Sequence, residues 1–154
     1  MQNKQHGFSL VELLIVVAII LVIAAIAIPN LMRSRMAANE AGAVHAIRLI
    51  NNAELSYSAA NKDIGYTCSL ATLGGTSATD AYLLDPDVSA GAKQGYNYSL
   101  QNCSTNGSMV TSYQSFADPL VPNSTGQRHF CSDPSGVIRF DPHAACVVTS
   151  SSAI

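Results

Sequence analysis

Leu13 to Ile28 reads LLIVVAIILVIAAIAI, sixteen consecutive apolar side chains with no glycine and no charge. Phe8-Ser9-Leu10-Val11-Glu12 stands in front of it, so that the run from Phe8 reaches 21 residues before Pro29. Wound as a helix at about 1.5 Å per residue, such a run spans roughly 30 Å, the hydrocarbon thickness of a bilayer. Lys4 precedes it, and Arg33 and Arg35 follow. A secretory signal needs a shorter apolar run closed by small residues at a cleavage site. Here the chain continues Pro29-Asn30-Leu31-Met32-Arg33 instead, and the segment is expected to stay on the mature protein.

Around that run the composition is lopsided. The chain has 154 residues, room for one ordinary domain; 48% are apolar and only 12% charged. That is too apolar for a disordered tail. Eight basic residues against ten acidic ones give a net charge of −2, which offers no electrostatic footing for nucleic acid.

Glu12 is the misfit in the apolar run. A carboxylate in a spanning helix costs about 2.5–3.5 kcal/mol at mid-bilayer and less near the interface. It either snorkels to the headgroups or waits for a partner of positive charge. Its context is Lys4-Gln5-His6-Gly7-Phe8-Ser9-Leu10-Val11-Glu12-Leu13. This string resembles the class III signal of type IV prepilins and pseudopilins: a short basic leader ending in Gly, then Phe, a small or apolar residue, two apolar residues and Glu. The likeness runs over about the first 35 residues, Pro29 included.

The resemblance implies a role at each matching position. Gly7 ends a leader, residues 1–7, cut on the cytoplasmic side by a membrane-embedded prepilin peptidase. Phe8 becomes the new N-terminus and is N-methylated. Glu12 pairs with the amine of Phe8 on a neighbouring subunit, a pairing that recovers much of the several kcal/mol each buried charge costs alone. Many members carry a glycine midway along this helix; this chain has none between Gly7 and Gly42. Loosening of the helix, a kink included, is expected at Pro29, which lacks an N–H and crowds the preceding turn.

Four segments follow from this reading: the leader, a membrane and filament-core helix over 8–29, an amphipathic continuation over 30–62, and a connecting loop with a β domain over 63–154. In the continuation, Ala37, Ala41, Val44, Ile47 and Leu55 fall within a sector of about 120°, interrupted by Arg48 and Asn51. Ala46, Ile50, Ala53 and Tyr57 form a second strip. One strip is expected against the domain's own sheet and the other against neighbouring subunits. Residues 63–93 read as a long ordered connection with turn signals at Gly74-Gly75 and Asp85-Pro86-Asp87. Strands are expected at Tyr96–Leu100, Met109–Phe116, Arg128–Cys131 and Gly136–Phe140, the last two as a hairpin around Ser132-Asp133-Pro134-Ser135. The expected fold class is α+β, a long N-terminal helix on a four-stranded antiparallel sheet, which the resemblance implies is the type IV pilin fold.

Cys68, Cys103, Cys131 and Cys146 all lie beyond the membrane segment, and an even count in an exported domain reads as disulfides. Three pairings are possible. Cys68–Cys103 with Cys131–Cys146 is favoured, the first tying the connection to the sheet and the second closing the tail on the last hairpin.

Other chemistry has less support. His129, Cys131, His143 and Cys146 offer four zinc ligands, but at no common spacing and in a compartment that oxidises thiols. Asp118, Asp133 and Asp141 sit in turn-like surroundings without an EF-hand spacing. Arg128, His129 and Arg139 make too thin a cationic patch for DNA. Sequons at Asn97, Asn102, Asn106 and Asn123, and the run Ser150-Ser151-Ser152, discriminate little in a Ser/Asn-rich chain. No phosphate loop, nucleophile elbow, HExxH or haem motif occurs, so no enzyme and no cofactor are expected.

The functional expectation is a structural subunit that polymerises through its N-terminal helix into a type IV pilus for attachment, surface motility or DNA uptake. It resides in the inner membrane before assembly and in an extracellular filament after it. Its partners are copies of itself, the prepilin peptidase and an inner-membrane assembly platform. The alternatives are a pseudopilin of a type II secretion system and a membrane-anchored module that never polymerises. The major pseudopilins carry a D-P-W-G-x-P-Y-like run and usually no cysteine; this chain has no Trp and four Cys.

Overall fold

The computed structural model of the chain describes residues 7–75 and 80–154; Lys4 and the rest of the leader before Gly7 lie outside the described residues. Two compact units divide the chain, one ending at Arg35 and the other running from Met36 to Ile154. Helix α1, Leu10–Ala60, contributes to both and carries Pro29 within it.

In the first unit the large apolar residues from Phe8 to Met32 stand between 47% and 85% exposed. The helix is long and apolar enough to cross a membrane. Backbone hydrogen bonds closed within one segment are what the hydrocarbon requires of a spanning element.

The second unit is α+β. Its sheet is an antiparallel meander of six strands in chain order: β1 Ala92–Lys93, β2 Tyr96–Asn106, β3 Met109–Pro119, β4 His129–Ser132, β5 Arg139–Asp141 and β6 Ser152–Ala153. The four expected strands correspond to β2 to β5, but Gly136, Val137 and Ile138 lie in the connection, so that the last hairpin has β4 reaching Ser132 and β5 starting only at Arg139. The two added are edge strands of two residues each, too short to show alternation in sequence. β2 runs on to Asn106 because Asn106 and Met109 pair across a two-residue loop. Gly107 there takes φ +64°, the conformation that primed hairpin turns demand of the first loop position. A register shift beyond Gln101, with Asn102 at φ +50°, breaks the alternation that sequence reading relies on.

From Tyr113 on, every second residue of β3 (Tyr113, Ser115, Ala117, Pro119) is buried, and Tyr96 and Tyr98 of β2 join them. Against this face lie Ala43, Ala46, Ile47, Ile50 and Ala53 of α1, with Leu70, Leu73, Leu84 and Val88 supplied by the connection. The strip read as Ala46, Ile50, Ala53 and Tyr57 is thus the inward one, taking Ile47 from the other set. Ala37, Ala41 and Leu55 face outward, and Val44 is half-buried.

The connection is largely irregular, with two one-turn helices, α2 Leu70–Leu73 and α3 Pro86–Ser89. Asp85-Pro86-Asp87, a turn signal in sequence, starts α3: Asp85 accepts from the Asp87 N–H at 2.9 Å, and Pro86 occupies the first turn, where its missing donor costs nothing.

Candidate functional site

Ser9 precedes the first residue of α1 and is its N-cap. Its Oγ accepts the Val11 N–H at 3.3 Å, and Glu12 Oε2 accepts the Ser9 N–H in return at 2.9 Å. This reciprocal S-x-x-E arrangement is a capping box, which satisfies backbone donors that the first turn otherwise leaves open. Glu12 is exposed, and among the described residues no cation pairs with it. Phe8 is 85% exposed, and the space around Gly7 is open to 4 Å. Among the described residues nothing covers the Gly7–Phe8 peptide, which stands next to a helix start that holds a carboxylate at its edge. Pro29 sits well inside α1 and denies the helix one donor.

The four cysteines form two bridges in the second unit. Cys68 is joined to Cys103, Cα atoms 6.2 Å apart, fastening the connection to β2. Cys131 is joined to Cys146 at 5.6 Å, fastening the tail to β4. The latter bridge is buried with Val148 and Phe116 in a small second core. Closing a loop of 15 residues stabilises by about 3 kcal/mol in the chain-entropy picture. With Cys131 and Cys146 bonded to each other, neither sulfur is a thiolate ligand beside His129 and His143.

The remaining sequence candidates are engaged internally. Asp118 pairs with His129 Nδ1 at 2.6 Å. Asp133 accepts from the Ser135 N–H at 2.9 Å, and Asp141 from those of His143 and Ala144 at 2.9 and 2.8 Å. These hydrogen bonds, the one from His143 first, hold the Asp141 carboxyl below its ordinary range. Arg139 donates to the Ser151 carbonyl at 3.3 Å. Arg128 lies over both the Phe130 and Phe140 rings, 5.4 and 5.3 Å from their centroids.

Two residues that apolar patterning passes over are Glu40 and Glu54, both buried on the inward stripe of α1. Glu40 Oε2 takes the Arg128 Nε–H at 2.7 Å, and Oε1 takes the Gln127 and Arg128 N–H groups at 2.9 and 3.3 Å. Burial pushes this carboxyl up, but the three hydrogen bonds and the Arg128 charge outweigh it and leave it below the usual range. Asn39 adds a bond from Nδ2 to the Thr125 carbonyl at 2.8 Å, so the β3–β4 loop is strapped to the helix. Glu54 is fully buried. Its Oε2 accepts the Thr67 N–H at 2.9 Å, its Oε1 has no hydrogen-bond partner among the described residues, and burial pushes its pKa up to about 7. The signal in sequence was the spacing: Glu40, Ile47 and Glu54 recur every seven residues, on one helical face.

Comparison with known proteins points to the same end of the chain. Residues 2–28 match the family model described as the prokaryotic N-terminal methylation motif. Over 40 residues the chain is 55% identical to the type IV wide pilus major component PilA4 of Thermus thermophilus, covering 26% of this chain and 30% of that one. The likeness to this relative thus takes in less than a third of its length. No solved structure matches the chain. The N-terminal segment carries the type IV pilin signal.

Proposed function

We propose that this chain is a structural subunit of a type IV pilus. It is cut after Gly7, N-methylated on Phe8, and assembled from the inner membrane into an extracellular filament through its N-terminal helix. The observation that carries this reading is the join of a methylation motif to a bare apolar helix with a held carboxylate. In an anchor alone Glu12 would serve only as a helix cap, whereas a polymer also gives its charge a partner: the amine freed at Phe8 of one copy is of opposite charge to Glu12 of another. Transfer of such a pair out of water costs several kcal/mol per ion unless the two meet, so the contact selects register more than it adds adhesion. The name of the Thermus relative, a pilus component, favours a pilus over a type II secretion filament.

Glu12 pairing, a prepilin peptidase and an inner-membrane platform belong to this proposal, as does Pro29 as the place where the helix gives way. The role is structural rather than catalytic. Shearing surface fibres from the producing cells and measuring the intact mass of their dominant protein tests it. A chain beginning at N-methylated Phe8, with no free thiol, is the expected result. Fibres built from a chain still starting at Met1 would end the pilin reading.

A further inference from the structure

The capping box assigns work to a residue that the processing motif leaves unspecified. We propose that Ser9 is a positioning residue for assembly: through the Ser9–Glu12 box it holds the Glu12 carboxylate at the helix rim, with Oε1 left to receive the amine of a second copy. This rests on the filament reading above and deepens it.

The geometry is two-sided. Glu12 Oε2 is occupied by the Ser9 N–H at 2.9 Å, and Ser9 is itself fixed by the bond from Val11 N–H to its Oγ at 3.3 Å. Of the two carboxylate oxygens, only Oε2 is engaged by this bond. A glutamate without the box has three rotatable side-chain bonds and spreads its charge over many positions; each one immobilised on assembly costs affinity. The box removes much of that cost beforehand. It also lowers the expense of keeping a carboxylate in a poorly hydrated setting, since one oxygen already accepts a backbone N–H near the positive end of the helix. Cleavage between Gly7 and Phe8 leaves every atom of the box in place, because the Ser9 amide lies one peptide beyond the cut. The new amine then arises one residue before the Ser9 amide that the carboxylate already accepts. A carboxylate already turned onto its own backbone is biased toward an incoming amine on its free side.

The test compares Ser9→Ala, which lacks the hydroxyl acceptor, with Ser9→Thr, which keeps it, in the full chain in its producing cells, beside Glu12→Ala. Membrane level, N-terminal mass and sheared fibre are measured for each, with amide hydrogen exchange at residues 9 and 11 on detergent-solubilised subunits. Ser9→Ala is expected to be processed and retained at the wild-type level, to exchange faster at both amides, and to yield about five- to tenfold less fibre, the size of a lost N-cap. Ser9→Thr is expected to restore protection and fibre together. If Ser9→Ala gives normal fibre while Glu12→Ala gives none, the positioning role is wrong and the filament reading stands. Normal fibre from Glu12→Ala as well brings down the Glu12 pairing and the positioning role with it, whereas absence of the wild-type chain from sheared fibre brings down the filament reading itself. Loss of processing or of membrane level in Ser9→Ala, or failure of Ser9→Thr to rescue, also overturns the positioning role.

Discussion

Up to Arg35 the chain leaves its aliphatic side chains bare, whereas from Met36 onward it encloses Ile47, Ile50 and Leu73 completely. The same helix does both. Twelve large aliphatic residues between Leu13 and Ile28 are exposed, and at about 1.5–3 kcal/mol each leaving them in water costs on the order of 20 kcal/mol or more. The second unit has a core, two disulfides and a sheet of its own; the first, among the described residues, has none of these. Its stability must come from lipid or from copies of itself. The glutamates of α1 divide along the same line. Glu40 and Glu54 are enclosed by their own unit, while Glu12 is held only by its own first turn and stays open to a partner outside the chain.

The sharpest way to break this comparison is to remove Glu12. If its partner is the amine of another copy, Glu12→Ala leaves that amine unpaired in the filament core, and Glu12→Gln keeps the shape while losing the charge. Removing one partner of a buried pair costs about 3–5 kcal/mol, enough to suppress addition at every step. Both variants are expected to accumulate in the membrane with few or no fibres, while Cys68–Cys103 and Cys131–Cys146 still form. Electron microscopy of sheared material, with thiol labelling of the membrane pool, checks both halves. Assembly at wild-type levels would mean that the first unit needs no charge partner.

Glu40 is expected to do the reverse, changing stability and not assembly chemistry. Its carboxylate gathers the Gln127 and Arg128 N–H groups and the Arg128 side chain, strapping the β3–β4 loop to α1. Glu40→Ala leaves these donors without their acceptor. Hydrogen bonds to a charged group contribute about 1.5–3 kcal/mol, and a loss of about 2 kcal/mol is expected in denaturant unfolding of the solubilised chain. Since the folded carboxyl sits below its ordinary value of 4.5, this contribution is present above that pH and fades as pH falls through the folded pKa. A variant that matched wild type at pH 7 would show the strap to be decorative.

Much of this was legible from the residues. A sixteen-residue apolar run admits few readings, and Gly7-Phe8 with Glu12 narrowed them further. Alternation located the start of β2, and the turn signal at Ser132-Asp133-Pro134-Ser135 located β4 and, three residues early, β5. Alternation could not carry β2 past Gln101, where a register shift turns the side chains over, nor find edge strands two residues long. The inward face of α1 was harder, because Glu40 and Glu54 occupy stripe positions that a hydrophobic count assigns to solvent. A carboxylate can be buried there because backbone N–H groups from loops distant in sequence reach it, and no local pattern announces those donors. The capping box, by contrast, was written plainly as Ser9-x-x-Glu12 and was overshadowed by the motif that shares its residues.

The smallest effect, and the finest test of how the second unit tolerates its charges, lies at Glu54. It is enclosed with one oxygen on the Thr67 N–H and the other unpaired. Its charge acts on Tyr113 of β3, whose pKa is raised by burial first and by Glu54 second. With no cation beside it among the described residues, burial favours the neutral form and lifts the pKa from 4.5 to about 7. The folded state thus holds this proton more tightly than the unfolded chain does. The stability this confers is fully present below pH 4.5 and is lost as pH rises through about 7. Between pH 6 and pH 8 the loss amounts to about 1 kcal/mol, a window in which Glu40 is ionised in both states and contributes no slope. Glu54→Gln keeps the shape and the acceptor for Thr67 but has no proton to lose. Its unfolding free energy is expected to lack the Glu54 slope across that window. The difference between the two curves isolates Glu54. A wild-type curve that runs parallel to the Glu54→Gln curve would show that the carboxylate finds a compensating partner when it ionises, and that the second unit, like the first, satisfies its charge only in company.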